Sequence, residues 1–199
     1  MDILSHALWS AGLAQLANRH LRVKHKHLLL EPMLVAWWGI FPDLVVFAPV
    51  WVMYIWNLIT GEINYSQIPR HGQLGLVDTN TVTRIFYDLS HSLVVFCVIM
   101  LLVVLFYRLF TGRRARRSAS LWAMTGWGFH ILIDVPSHSY TYSPTPVLWP
   151  ISEWRFSQGI DWGTPTFLLF NFLALFLLYL FLWYTEPSKK RVKWDNPLS

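Results

Sequence analysis

The stretch that decides how this chain folds reads Trp127-Gly-Phe-His130-Ile-Leu-Ile-Asp134-Val-Pro-Ser-His138. Its two histidines and one aspartate are spaced i, i+4 and i+8, which keeps their side chains on one face of an α-helix. The residues between them are apolar enough to lie in a membrane, where an ionisable group is costly and needs a partner or a function. Imidazole and carboxylate form a ligand set suited to zinc and, less selectively, to manganese or iron. The stretch therefore predicts a metal site on a membrane-embedded helix.

The composition of the whole chain agrees with a membrane protein. Of the 199 residues, 54% are hydrophobic and only 14% are charged, whereas soluble domains carry about 25% charged residues. The net charge of +5 raises the alternative of nucleic-acid binding. We exclude that class because the basic residues cluster beside apolar runs, as they do in cytoplasmic loops. We predict an all-α, multi-spanning helical bundle that forms one domain over residues 1–199.

Several apolar runs are long enough to cross a bilayer, for which about 18 residues suffice. The runs are 44–61, 89–107 and 166–184. A further run, 118–133, is long enough only if its end at Asp134 reaches the interface or the protein interior. Pro42 predicts a helix break between the first of these runs and the shorter apolar run 33–41, because proline removes a backbone donor and clashes with the preceding turn. The N-terminal run 3–18 makes about 24 Å of helix against a hydrocarbon core of about 30 Å. We predict a short or partly re-entrant helix there.

The basic residues indicate one orientation for these spans. They cluster at 19–26, 108–117 and 189–193, whereas the loops 62–88 and 136–165 hold few of them. Positively charged residues mark the cytoplasmic side of a membrane. We therefore predict that 62–88 and 136–165 are outer loops and that the basic tail 185–199 is cytoplasmic.

Five ionisable residues fall at a common depth in this topology. Counted from the basic ends at about 1.5 Å per residue, they lie about 17 to 26 Å up the helices, and they are His6, Asp43, His91, His130 and Asp134. The shared depth predicts one site in the outer half of the bundle, because facing helices supply the ligands of bundle metal sites. Asp43 would bridge two metals or accept a proton from a metal-bound water. Pro136 should kink or end its helix and leave His138 on a lip above the other ligands.

Other readings of the same residues stay open. A single intramembrane histidine can simply join two helices by a hydrogen bond, and Asp134 could pair with His138. Ser92 could orient a ligand or a substrate as an outer partner of His91. Three histidines in the basic loop should face anionic headgroups; they are His20, His25 and His27. His71, in an outer loop, is assigned no role.

The proline- and aromatic-rich segment 139–163 predicts a rigid flap over the site. Within this segment, Glu153 and Arg155 are expected to pair with each other. The alternative is that Arg155 meets a phosphate, for which arginine is the usual bidentate partner.

Four motifs together resemble a known family. They are Met1-Asp2-x3-His6, Phe41-Pro42-Asp43, His91-Ser92-Leu93, and His130-x3-Asp134-x3-His138 followed by Leu148-Trp149-Pro150. In this order and spacing they resemble the bacterial LexA-regulated, membrane-bound, metal-dependent hydrolases, and the likeness runs from residue 1 to about residue 163. That family is distantly similar to zinc-dependent phospholipase C and the S1/P1 nucleases, which cleave phosphodiesters at a zinc cluster.

The resemblance implies a location, a ligand set and a cofactor. The location is the bacterial inner membrane, with the site facing the periplasm. The implied metal ligands are His6, Asp43, His91, His130 and Asp134, with His138 as a further one. The phospholipases also use a processed N-terminal tryptophan, where this chain has Met1-Asp2, and a further histidine and glutamate that have no counterpart here. We therefore expect one or two Zn²⁺ ions rather than three.

The sequence thus predicts a metal-dependent hydrolase that cleaves a phosphoester or phosphodiester, such as a lipid headgroup, with Asp43 as the catalytic base. The alternative is a non-catalytic metal-binding protein, either a transporter or a sensor component. Transport would require polar residues toward the cytoplasmic side, where the spans carry only Gln15 and Asn171. A third possibility, a structural protein with His–Asp hydrogen bonds, would bind no metal.

Overall fold

The computed structural model describes residues 2–24, 29–64, 81–111, 119–140 and 143–185. Within these ranges the chain forms seven α-helices and no β-strand, which confirms the all-α prediction. The helices are α1 (Ile3–Lys24), α2 (Pro32–Thr60), α3 (Thr81–Ser90), α4 (Leu93–Thr111), α5 (Ala119–Ala123), α6 (Thr125–Ser137) and α7 (Pro165–Tyr184).

Three of these helices are long and apolar enough to cross a membrane. They are α2, the Leu93–Phe110 part of α4, and α7. The run predicted at 166–184 forms α7 almost unchanged, while the run at 89–107 begins later, at Leu93. The run at 118–133 instead forms the short helices α5 and α6, neither of which has the length of a span. Membrane association is thus supported for three helices.

The predicted break at Pro42 is wrong. Helix α2 continues through both Pro42 and Pro49 for 29 residues. Proline is tolerated inside helices where neighbouring groups bind the backbone carbonyls near it. One carbonyl near Pro42 has a partner from another helix, since the Nδ1 atom of His130 lies 2.6 Å from the carbonyl oxygen of Gly39, three residues before Pro42. The helix ends at Gly61, whose φ of 78° is the left-handed conformation that glycine adopts most readily.

The segment 62–88, predicted as an outer loop, contains a helix that the sequence analysis did not mark, because α3 occupies Thr81–Ser90. This helix is too short to span a bilayer and was therefore not marked by an apolar run. Its apolar side chains follow the i, i+3, i+4, i+7 spacing of one helix face. That face is exposed, while the opposite, more polar face is buried: the exposed residues are Val82, Ile85, Phe86 and Leu89, and the buried ones are Thr83, Tyr87, Asp88 and Ser90.

Helix α2 packs between α1 and α6. Small residues let these backbones approach closely. A Cβ atom added to Gly126 of α6 would clash with the carbonyl oxygen of Val35, and one added to Gly39 would lie 2.7 Å from Cβ of Ser10. A small apolar core joins α1, α2 and α5 through Ala14, Val35 and Ala123. These contacts bring side chains from α1, α2 and α6 together.

Polar bonds join α1 to α7. Nδ2 of Asn171 donates to Oγ of Ser5 at 2.8 Å, and Nε1 of Trp9 donates to Oδ1 of Asn171 at 2.8 Å. At the other end of α1, Arg19 donates to the carbonyl of Leu182 at 2.6 Å. Helix α1 is continuous over 22 residues, so it extends beyond the predicted 3–18.

Candidate metal centre

The six residues singled out in the sequence lie together in a buried cluster. They come from α1, α2, the junction between α3 and α4, α6, and the residue that follows α6. Each of them is at most 7% exposed; they are His6, Asp43, His91, His130, Asp134 and His138. Residues separated by more than a hundred positions in the sequence are thus within contact distance.

Asp134 lies at the centre of this cluster. Its Oδ1 atom is 3.0 Å from Nε2 of His6 and 3.6 Å from Nε2 of His138. Its Oδ2 atom is 3.1 Å from Nε2 of His130 and 3.5 Å from Nε2 of His91. One carboxylate therefore contacts four imidazole rings.

Asp43 reaches three of the same rings from α2. Its Oδ1 atom is 3.6 Å from Nε2 of His91 and 3.8 Å from Nε2 of His130. Its Oδ2 atom is 3.9 Å from Nε2 of His6. Because the carboxylate is at the edge of the cluster and is 5% exposed, it is the carboxylate that solvent reaches more easily.

Three of the histidines use their Nδ1 atoms for hydrogen bonds that point away from the carboxylates. His130 Nδ1 meets the carbonyl of Gly39 at 2.6 Å, and a carbonyl can only accept. His91 Nδ1 lies 3.2 Å from the carbonyl of Tyr87 and 2.9 Å from Oγ of Ser90. Ser90 donates its own proton to the carbonyl of Phe86 at 2.7 Å, so His91 is the donor. Both rings thus carry a proton on Nδ1, and in the neutral form of each ring the Nε2 lone pair faces the cluster.

His138 has the same arrangement. The hydroxyl of Tyr87 donates to the carbonyl of Ser143 at 2.8 Å and lies 3.1 Å from Nδ1 of His138. Because the hydroxyl proton of Tyr87 is already donated to the carbonyl of Ser143, the hydroxyl oxygen accepts a hydrogen bond from Nδ1 of His138. Outer hydrogen bonds of this kind fix the tautomer of metal-binding histidines.

The fourth ring, that of His6, is held by packing. It stacks on the ring of His130 with centroids 3.7 Å apart. Within the described residues, neither of its nitrogens makes a hydrogen bond of good geometry, although both are buried. A buried polar atom without a hydrogen bond costs about 1–3 kcal/mol, so the ring requires a partner of another kind.

Burial keeps the imidazole side chains of His91 and His138 uncharged. It lowers the pKa of His91 and lowers the pKa of His138 to about 3. Burial also raises the pKa of Tyr87, which therefore keeps its hydroxyl proton. Metal ligands must be neutral imidazoles, and these two histidines are in that form at neutral pH.

The donor set fits a divalent metal. With metal–ligand bonds of about 2.0–2.2 Å, two ligand atoms at a tetrahedral zinc lie about 3.3–3.6 Å apart. The Nε2 atoms of His91 and His130 lie 3.1 Å apart, close to that separation. Two buried three-residue groups have the spacing that could hold an ion: His6, Asp43 and His130, and His91, His130 and Asp134.

The residues that hydrogen-bond to the candidate ligands were mostly not predicted from the sequence. Ser92, predicted to orient a ligand, instead accepts from the backbone of Val95 at 3.2 Å and donates to the carbonyl of Trp149. The serine that contacts His91 is its other neighbour, Ser90. Tyr87 could have been found, because it lies four residues before His91 and would share its face if the helix of Ser90 were recognised.

The segment 139–163, predicted as a flap, is hydrogen-bonded to the end of α6 beside the cluster. Backbone N–H groups of Ile160 and Trp162 donate to the carbonyls of Pro136 and Ser137 at 2.9 and 3.1 Å. The predicted Glu153–Arg155 pair is wrong, because Arg155 binds Asp88 of α3 at 2.6 Å. Of the loop histidines, His20 is exposed at the end of α1. His25, His27 and His71 lie outside the described residues.

Comparison of the chain with protein-family models, with curated proteins and with solved structures found no match in any of the three. Fold and cluster therefore define the protein only as an all-helical chain. It has three helices that fit a membrane span and a buried His/Asp group that could hold metal.

Proposed function

We propose that this protein is a multi-pass membrane hydrolase that uses one or two divalent metal ions, with zinc as the expected metal, to cleave a phosphoester. The observation that carries the proposal is the set of imidazole Nε2 atoms that face two buried carboxylates at 3.0–3.9 Å. The motif resemblance to the bacterial membrane-bound, metal-dependent hydrolases supports the same reaction. It also supports an inner-membrane location with the site toward the periplasm.

The residues of the cluster would have different roles in such a reaction. A bound divalent metal polarises a phosphoryl oxygen and lowers the pKa of a water toward neutrality. His6, His91, His130, His138 and Asp134 would hold it. Asp43 is the better exposed carboxylate, so we assign it as the group that accepts the proton of an attacking water.

A lipid phosphoester is the substrate class that the surroundings of the cluster favour. Helix α3 turns Tyr87 toward the cluster and an apolar face outward. The segment after α6 also exposes large apolar side chains, including Leu148, Ile151 and Trp154. Exposed apolar patches rimmed by polar groups mark lipid or protein contact surfaces. Because a helix is only about 10–12 Å across, a lipid in contact with this surface would have its headgroup near the cluster.

The transporter alternative has less support. Transport needs polar groups that continue past the site, and two buried asparagines of the helices are already bonded to neighbours. Asn171 bonds with Ser5 and Trp9. Asn18 bonds with both backbone groups of Leu30 at 2.7 and 2.8 Å. These bonds fix helices against each other.

The test is metal content and phosphoester hydrolysis measured on one preparation. The protein would be purified in mild detergent without chelator, its metal measured by mass spectrometry, and phosphate or headgroup release followed from mixed phospholipid micelles. We expect bound zinc and hydrolysis in the wild type, and an Asp43→Asn variant at least about a hundredfold slower, since general base catalysis contributes about 10²–10⁴-fold. His20→Ala, at an exposed histidine outside the cluster, is the matched control.

Each result decides between the alternatives. Metal without hydrolysis of any phosphoester lipid would reject the hydrolase and leave the transporter or sensor component. A folded wild-type protein that binds no metal after exposure to excess zinc would reject both, and the cluster would then be structural.

A further inference from the structure

Helix α3 carries a charged group at the edge between its buried face and its exposed apolar face. Arg84 and Asp88 lie four residues apart and therefore share this edge. The side chain of Arg84 is 54% exposed, whereas that of Asp88 is 10% exposed. Arg155, from the segment after α6, donates to Oδ1 of Asp88 at 2.6 Å, and Nε of Arg84 lies 4.0 Å from Oδ2. One carboxylate thus has a guanidinium group beside each of its oxygens.

The charges of this group do not cancel, because two arginines stand against one aspartate. Asp88 is already bonded to Arg155, which also donates to the carbonyl of Pro144 at 3.2 Å. The 4.0 Å contact of Arg84 is longer than a hydrogen bond. The excess positive charge therefore lies on Arg84, whose exposed guanidinium can bind two oxygens of a phosphate at once.

The charged group is connected to the candidate metal centre. Asp88 follows Tyr87 in the chain, and the hydroxyl of Tyr87 lies 3.1 Å from Nδ1 of His138. Arg155 and Tyr87 also donate to the neighbouring carbonyl groups of residues 144 and 143. Only one tyrosine thus separates the charged group from a candidate ligand.

The position of α3 next to α4 places it at a membrane surface. Two residues separate the end of α3 from α4, whose Leu93–Phe110 part is long and apolar enough to cross a membrane. The ten residues of α3 make about 15 Å of helix, which is too short to span. With α4 in the bilayer, the apolar face of α3 enters the boundary between headgroups and acyl chains, and a basic side chain beside that face meets lipid phosphates.

From this charge, apolar face and position we propose that Arg84, beside Asp88 and Arg155, binds the phosphate of an anionic phospholipid whose acyl chains lie against α3. The inference goes beyond the proposed function, because it concerns a lipid-binding site and requires neither a metal ion nor hydrolysis. A lipid held here that is also the substrate would be selected for a net negative charge on its headgroup.

The charge of the headgroup is what the site distinguishes. Phosphatidylcholine brings its own cation next to its phosphate, whereas phosphatidylglycerol carries only the phosphate charge. One basic side chain near an anionic lipid surface contributes about fivefold to affinity. We therefore expect a preference of about that size for phosphatidylglycerol.

Photo-crosslinking tests this preference at the site itself. The full-length protein would be placed in nanodiscs of phosphatidylcholine that contain a small fraction of phosphatidylglycerol with a photoreactive acyl chain. Cross-linked peptides would be identified by mass spectrometry. We expect cross-links on α3 that unlabelled phosphatidylglycerol removes and additional phosphatidylcholine does not. Glycerol phosphate and inorganic phosphate, which offer the same phosphate without acyl chains, should not compete at millimolar concentrations.

Two substitutions of Arg84 and one matched control assign the effect to this side chain. Arg84→Gln should lower the cross-linking of α3 about fivefold, and the fold should survive because the ion pair of this arginine is exposed and long. Arg84→Lys keeps the charge and should retain most of the cross-linking. Arg108→Gln removes an exposed arginine from the last turn of α4 and should leave the cross-linking of α3 unchanged.

Equal cross-linking of α3 in the wild type and Arg84→Gln would overturn the proposal, as would equal competition by the two phospholipids. Competition by millimolar glycerol phosphate would also overturn it, because the site would then bind a soluble phosphate. Selective cross-linking without hydrolysis of any phosphoester lipid would support the lipid site and reject the hydrolase. Hydrolysis without selective cross-linking would reject the lipid site alone.

Discussion

The hydroxyl of Tyr87 lies 3.1 Å from Nδ1 of His138 and donates its own proton to the carbonyl of Ser143. The same tyrosine ring stacks on His91, with centroids 4.1 Å apart. One side chain therefore holds two candidate ligands, one by a hydrogen bond and the other by packing. Since an outer hydrogen bond sets which imidazole nitrogen faces the metal, the hydroxyl and the ring of Tyr87 should be separable by mutation.

We expect Tyr87→Phe to lower zinc affinity by about 10–100-fold, the usual effect of losing an outer partner of a ligand. The ring stack on His91 is kept, so the fold should survive. Affinity would be measured by competition with a chelating dye. Tyr179→Phe is the control, because that hydroxyl donates to the carbonyl of Leu8 at 2.9 Å and contacts none of the candidate ligands. Equal affinity in Tyr87→Phe and wild type would contradict the assigned role.

The close approach of α6 to α2 predicts a second outcome. In Gly126→Ala the new methyl group meets the backbone carbonyl of Val35, which cannot move without shifting α2. We expect a lower melting temperature in detergent, corresponding to about 1–3 kcal/mol of overpacking, and a loss of bound metal because Asp43 and His130 separate. Gly12→Ala is the comparison, since its nearest neighbour is the flexible end of Leu178 at 2.6 Å. The interpretation is wrong if both variants melt alike.

The pair between Arg155 and Asp88 should fasten the segment after α6 to α3. Arg155 also donates to the carbonyl of Pro144 at 3.2 Å, and only 18% of its side chain is exposed. We expect Arg155→Ala to cost about 1.5–3 kcal/mol, the usual contribution of hydrogen bonds to charged groups, and to expose 143–164 to limited proteolysis. Arg84→Ala removes a more exposed partner of Asp88 at 4.0 Å and should change neither stability nor cleavage. Equal proteolysis of both variants would count against the fastening.

The apolar face of α3 should contact lipid. In a Cys97→Ser background, a nitroxide attached at Ile85→Cys in liposomes should collide more often with oxygen than with a water-soluble nickel complex. A nitroxide at Glu62→Cys, which follows α2 and is exposed, should show the reverse preference. Accessibility of both labels to nickel alone would show that α3 faces water, and lateral entry of a lipid substrate would lose its support.

That the six candidate residues lie close together could be expected from residue spacing and from depth counted along the helices. His130 and Asp134 share a face because they are four residues apart, and ion-pair contact between them at 3.1 Å follows from that spacing. His6 and Asp43 were placed at the same height by counting from basic ends. Prediction failed where backbone breaks were assigned from single residues, as at Pro42, because the groups that compensate a proline come from other helices.

The sequence by itself determined the all-α class, the apolar runs of α2, α4 and α7, and the identity of the six ionisable residues, because helical periodicity and hydropathy are local properties. The tertiary structure decided which oxygen of Asp43 and Asp134 faces which histidine. It also decided that Tyr87 and Ser90 hold the rings and that Arg155 pairs with Asp88. These relations depend on the rotation and separation of helices packed against one another. They cannot be predicted from the spacing of residues along the sequence, because the close approaches at Gly39 and Gly126 set the helix positions.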